Sequence, residues 1–167
     1  MREHFGAPWG NRLKATTAVV LAILVLAVFT VKGWAVLVIL AILGLALAFA
    51  VRGYSVVAGQ LLIHRLGWAT RYDLAGLTSV EYSPGVTIGS ARTMGIGGLF
   101  GFVGHFHNAV LGSYRAYATH EDNTVVLDFA GDKIVVTPDA PLEFVEVVES
   151  MRGDGAPSRA GEPNGAQ

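Results

Sequence analysis

Cysteine is absent from the 167-residue chain, which excludes disulfides, thiolate metal sites and a cysteine nucleophile. Charge is scarce. Charged residues make up 15% and hydrophobic residues 52%, where soluble proteins carry roughly a quarter charged residues. A formal net charge of -1 and a pI near 6.5 leave no basic face, so nucleic acid is not an expected partner. No G-x-S-x-G or comparable arrangement sets up a serine or threonine nucleophile, and carboxylates fall mainly in turns, so the expectation is a protein that is not an enzyme. Charge is missing most completely from Ala15 to Val51, where Lys32 is the only charged residue.

That run is what the chain has instead. As one helix it would measure about 55 Å, against a hydrocarbon core of about 30 Å. A break at Lys32-Gly33-Trp34 leaves Ala15–Val31 and Ala35–Val51, two spans of about 26 Å each. Ten Leu, Ile, Val or Phe residues lie between Val19 and Val31, and their insertion preference outweighs the threonines at 16, 17 and 30. The competing reading, a cleaved signal peptide, lacks a small-x-small site after Val31 and leaves the second run unexplained. Arg2, Arg12, Lys14 and Arg52 flank the outer ends of the pair while Lys32 stands alone in the turn, which places both termini in the cytoplasm. Trp9, Trp34 and Tyr54 occupy the expected interface levels as anchors. Ala18/Ala22 and Gly44/Ala48 are small pairs that let helices approach closely. Residues 1–14 then form a cytoplasmic N-terminal tail, and 15–51 a two-helix transmembrane hairpin.

After Arg52 the pattern becomes short β-rich segments. Tyr54–Val57, Leu61–Leu66 and Leu77–Tyr82 read as strands, with Ala58-Gly59-Gln60 a tight turn between the first two. Thr124–Phe129 and Lys133–Thr137 flank Ala130-Gly131-Asp132, the clearest hairpin. Pro138 ends the last strand, and Asp139 is a candidate cap for a helix to about Met151 whose Phe144, Val145, Val148 and Met151 form one stripe opposite Glu143, Glu146 and Glu149. The segment 152–167 holds no apolar residue larger than alanine and is expected as a disordered tail.

Two membrane helices, about seven strands and a closing helix resemble the bacterial pleckstrin-homology-like (PH-like) families. The likeness is carried by "RTMGIGGLFGFVGHFHN", "LGSYRAYAT", "NTVVLDF" and "IVVTPDAPLEFVEVV", and covers about Tyr54 to Met151. It implies a membrane α-helical hairpin joined to an α+β, mainly β, PH-like domain over 54–151. That domain would hold about seven antiparallel strands capped by a C-terminal helix, at a bacterial inner membrane, with no reaction attached.

Headgroup recognition at the first hairpin is disfavoured. "VVAGQLL" has no basic residue, and from Arg52 onward eight basic and twelve acidic residues give a net of -4. The glycines of Arg92–Asn108 do not make a dinucleotide loop, since no βαβ unit surrounds them and position 100 is phenylalanine. Two readings of Phe100, Phe102 and Phe106 stay open. They fill a core or subunit contact, or they rest on the bilayer or the hairpin. His105 and His107 share a face if extended, yet no third ligand is apparent, so no metal or cofactor is expected. Arg92 and Arg115 are structural anchors, with anion binding the alternative. The expected function is a non-enzymatic interaction or assembly module at the inner membrane, partnered by the bilayer and by a second copy or another membrane protein. The alternative is a lipid-contacting or small-ligand-sensing domain using segment 94–107, marked by an apolar pocket under the phenylalanines.

Overall fold

In the computed structural model, which describes residues 3–30, 33–97 and 99–154, the apolar run folds into two helices, α1 (Asn11–Thr30) and α2 (Trp34–Phe49). Gly33, just before α2, sits at φ 72°, a left-handed conformation that glycine adopts without a Cβ penalty. The turn residue Lys32 lies outside the described residues. At 20 residues α1 is long and apolar enough to cross a membrane, and α2, at 16, is a shorter apolar helix. The small-residue contact expected at Gly44 does not form, since a Cβ there would meet nothing within 4 Å. Leu21 and Leu43 pack instead around Ala46, Ala50 and Phe100 near the β-rich end.

The segment expected as a tail over 1–14 begins with a strand, β1 (His4–Gly6), paired antiparallel with β2 (Gly53–Val57). The cause is Phe5, fully buried and edge-on to Phe144 at 5.2 Å. A three-residue strand with one apolar side chain leaves no periodic trace. β2 continues into β3 (Gln60–His64) and β4 (Ala69–Asp73), giving a four-stranded sheet in the order β1-β2-β3-β4. A 3₁₀ turn at Leu74–Gly76 leads to the second sheet. This contains β5 (Ser79–Tyr82), β6 (Ala91–Gly97), β7 (Phe102–Asn108), β8 (Gly112–Ala118), β9 (Val125–Phe129) and β10 (Asp132–Val136), in the order β5-β9-β10-β8-β7-β6. The two tight hairpins form as expected. Ala58-Gly59 and Ala130-Gly131 have positive φ throughout, the backbone of a two-residue turn that matches strand twist.

The expectation of about seven antiparallel strands is corrected on two counts. Nine strands, β2 to β10, occupy that domain among the described residues, with β1 added from the N-terminal segment, and β10 pairs with β8 in parallel, Lys133 opposite Tyr114 and Val136 opposite Tyr117. After β8 the chain crosses to β9, which lies beyond β10, and the return strand fills the gap in the same direction as β8. The helix α3 (Pro141–Asp154) starts at proline, a residue suited to the first helical position, and runs past the expected Met151. Of the tail expected over 152–167, residues 155–167 lie outside the described residues.

The main core forms where Tyr54, Leu61 and Ile63 of the first sheet meet Leu127, Ile134 and Val136 of the second, closed by Phe144, Val147 and Val148 of α3. Strand alternation puts Val135, Ala116, Tyr114 and Phe106 on the outer face of the second sheet, in a separate cluster.

Candidate functional site

The glycine-rich stretch is a hairpin, β6–β7, whose tip reaches the ends of α1 and α2 nearest the sheets. Gly95 and Gly104 face each other across it, at φ +120° and +144°. A Cβ on Gly104 would fall 2.2 Å from the Met94 carbonyl oxygen, and one on Gly95 2.3 Å from that of Val103, so only glycine permits this approach. At the tip Phe100 adopts φ 61°, a left-handed conformation disfavoured for a side chain. It is held there because its ring packs with Ala46, Ala50 and Trp9 and its amide donates to Thr17 Oγ1 at 3.4 Å. Phe100 thus fills a buried cluster and meets the hairpin at once, a placement common to both readings of the phenylalanines.

Phe102 and Phe106 take a different place. They join the outer cluster and floor a cleft of about 380 Å³ with Tyr114 and Ala116. The 83–90 loop closes one side, tied down where Asn108 donates to Val86 O at 2.8 Å and Tyr114 donates to Ser90 Oγ at 2.6 Å. The first turn of α1 closes the other, where Arg12 pairs with Glu121 at 3.0 Å. Its floor is apolar, but Arg12, Thr16, Thr87, Ser90, His120 and Glu121 line its walls, so the cleft is of mixed polarity.

On the inner side of the same hairpin, next to Phe49, a second cleft of about 340 Å³ is lined by Arg65, Arg115, His105, Tyr117, Met94 and Val103. Arg115, one of the two expected anchors, donates from Nε to His105 Nε2 at 3.2 Å. Its guanidinium is held above its ordinary pKa, chiefly by hydrogen bonding to Tyr72. Tyr72 and Tyr117 join hydroxyls at 2.7 Å, and burial pushes Tyr117 up to about 12. The other expected anchor, Arg92, is exposed on β6 and does not enter this group. His105 and His107 share a face of β7, as strand alternation requires, but each takes its own partner across to β8, His105 meeting Arg115 and His107 lying 3.2 Å from Ser113 Oγ.

The interface anchors divide as well. Trp34 is exposed at the start of α2 and Trp9 packs on Phe100, but Tyr54 is fully buried. This corrects its reading as a membrane anchor. Its hydroxyl donates to the Tyr117 carbonyl and accepts from the Thr137 amide at 3.2 Å, and burial raises its pKa to about 12. The alternation of β2 turns residue 54 inward, and a single position after an apolar helix does not reveal that. Also missed was Ser55, whose Oγ lies 2.8 Å from both His4 Nδ1 and His64 Nε2. The cluster ties β1 to its neighbours, and burial followed by the charge of His4 lowers the His64 pKa. Arg65 was the larger omission, because two of the three rings around it, Phe49 and Tyr117, belong to elements distant in sequence.

A family model described as a bacterial PH domain matches residues 52–151. No curated protein and no solved structure matches the chain.

Proposed function

Since the chain belongs to the bacterial PH domain family, we propose that it is a non-enzymatic interaction and assembly module held at a bacterial inner membrane by a two-span hairpin, with both termini in the cytoplasm. The observation that carries the reading is the apolar skin of α1 and α2, where Ile23, Val25, Leu26, Phe29, Leu37 and Ile42 are all exposed. Water would penalise such a surface, and hydrocarbon removes the penalty. The basic residues Arg12, Lys14 and Arg52 stand at one end of the pair, as cytoplasmic flanks do. The partner is a second copy or another membrane protein. A reporter fused after Gln167 tests the topology: activity confined to the cytoplasm is expected, and activity only outside it defeats the proposal.

A second reading, a small-ligand-sensing domain, is favoured by the outer cleft over Phe102 and Phe106. A photocrosslinking residue at position 102 separates the two in native membranes. Capture of a protein supports the assembly module, whereas capture of an organic-extractable small molecule alone supports the sensor.

A further inference from the structure

The inner cleft supports an inference that rests on the membrane reading above. A guanidinium N–H taken out of water is costly to leave without a hydrogen-bond acceptor. Arg65 nevertheless sits among rings. Its guanidinium carbon lies 5.1 Å from the centroid of Tyr117, 5.6 Å from Phe49 and 6.0 Å from Trp68. Its Nε is buried with no hydrogen-bond partner among the described residues. Across the cleft Arg115 donates from Nε to His105 Nε2 at 3.2 Å. Among the described residues no carboxylate lies within ion-pair distance of Arg65 or Arg115, so neither cleft arginine is neutralised by a direct carboxylate partner.

Two guanidiniums without a carboxylate partner in an otherwise apolar cleft are complementary to one anionic head attached to hydrocarbon. We propose that this cleft binds the phosphate of a singly anionic phospholipid drawn from the bilayer, Arg65 and Arg115 donating to its oxygens while an acyl chain leaves past Phe49 along the exposed Leu45 and Ile42 of α2. The volume of about 340 Å³ suits a head and the first carbons of a chain, being near the lower end of ligand sites, so the rest of the lipid lies outside. The source follows from charge and tethering. A segment with a net of -4 from Arg52 onward repels free anions at long range, but an anchored cleft meets bilayer lipid at high effective concentration.

The test uses the full chain with Trp9→Phe and Trp34→Phe, which leaves Trp68 the sole tryptophan. It is reconstituted in phosphatidylcholine vesicles containing a small fraction of either brominated phosphatidylglycerol or brominated phosphatidylcholine. Trp68 fluorescence is expected to be quenched preferentially by the anionic lipid. Arg65→Gln and Arg115→Gln should each reduce the apparent preference about fivefold, and the exposed Arg92→Gln should leave it unchanged. Equal quenching by both lipids, or a preference surviving both cleft substitutions, overturns the proposal. Millimolar inorganic phosphate that displaces the lipid marks a free-anion site and overturns the lipid assignment. Should the double-tryptophan variant misfold, native mass spectrometry of the unaltered chain decides: phosphatidylglycerol adducts in excess over phosphatidylcholine and lost in Arg65→Gln support the site, and equal adducts refute it. A chain that floats with neither vesicle defeats the membrane reading and this one with it. Flotation without headgroup preference defeats this one alone.

Discussion

Leucine, isoleucine and phenylalanine behave in opposite ways in the two halves of this protein. On α1 and α2, Phe29 is 81% exposed, Leu37 68% and Leu26 66%, while Leu61, Ile63 and Leu127 of the β sandwich are at 0%. The same side chains with the same transfer preference are satisfied by tertiary packing in one region and left bare in the other. The sandwich therefore supplies its own solvent exclusion, and the helix pair depends on something outside the chain. The two regions meet at the tip of the β6–β7 hairpin, where Phe100 is buried against both helices.

The largest effect comes from charging the bare region. Ile23→Arg together with Ile42→Arg should disfavour membrane insertion by about 6 to 8 kcal/mol, read as loss of the protein from the membrane fraction after carbonate wash. Unchanged membrane recovery would mean that these two positions do not face lipid. Next, glycine to alanine separates the regions cleanly. Gly104→Ala forces a Cβ into the Met94 carbonyl at a φ hostile to side chains, and should cost about 3 kcal/mol in denaturant unfolding. Gly44→Ala, with open space around it, should be neutral or stabilising by up to about 1 kcal/mol.

The third test concerns the sandwich core at high pH. Tyr54 keeps its proton to about pH 12 in the folded chain because it is buried, whereas an unfolded tyrosine ionises near 10. The stabilisation is therefore intact below pH 10 and is lost as pH rises toward 12, by about 2 to 3 kcal/mol. Thermal unfolding across that range should show the fall, and Tyr54→Phe should flatten it to the share of Tyr117. Smallest is a gain. Ala130 holds a positive φ in the β9–β10 turn, and Ala130→Asn, creating the Asn-Gly pair such turns favour, should raise unfolding stability by about 0.5 to 1 kcal/mol. No change in the midpoint would show that the turn backbone is relaxed with alanine.

Much of this was legible in one dimension because it depends on neighbours in the chain. Ala58-Gly59 and Ala130-Gly131 between β-rich runs identify two hairpins, and Phe144 and Val148 at helical spacing identify the packing face of α3. The break before α2 follows from Lys32 and Gly33. Features built by long-range contact were not legible. Phe5 joins the core only because β1 lands on β2, Tyr54 turns inward through strand alternation, and Arg65 and Arg115 share a cleft although fifty positions separate them in numbering.

By itself, the order of residues determined the apolar helix pair, the β-rich domain after it, the two glycine turns and the amphipathic closing helix, since periodicity and turn chemistry act within a few residues. Tertiary structure alone decided the parallel β8–β10 pairing, the seating of Phe100 under the helices and the gathering of two arginines without a carboxylate. Those depend on which distant strands become neighbours, and that choice is made by the packing of the whole sandwich.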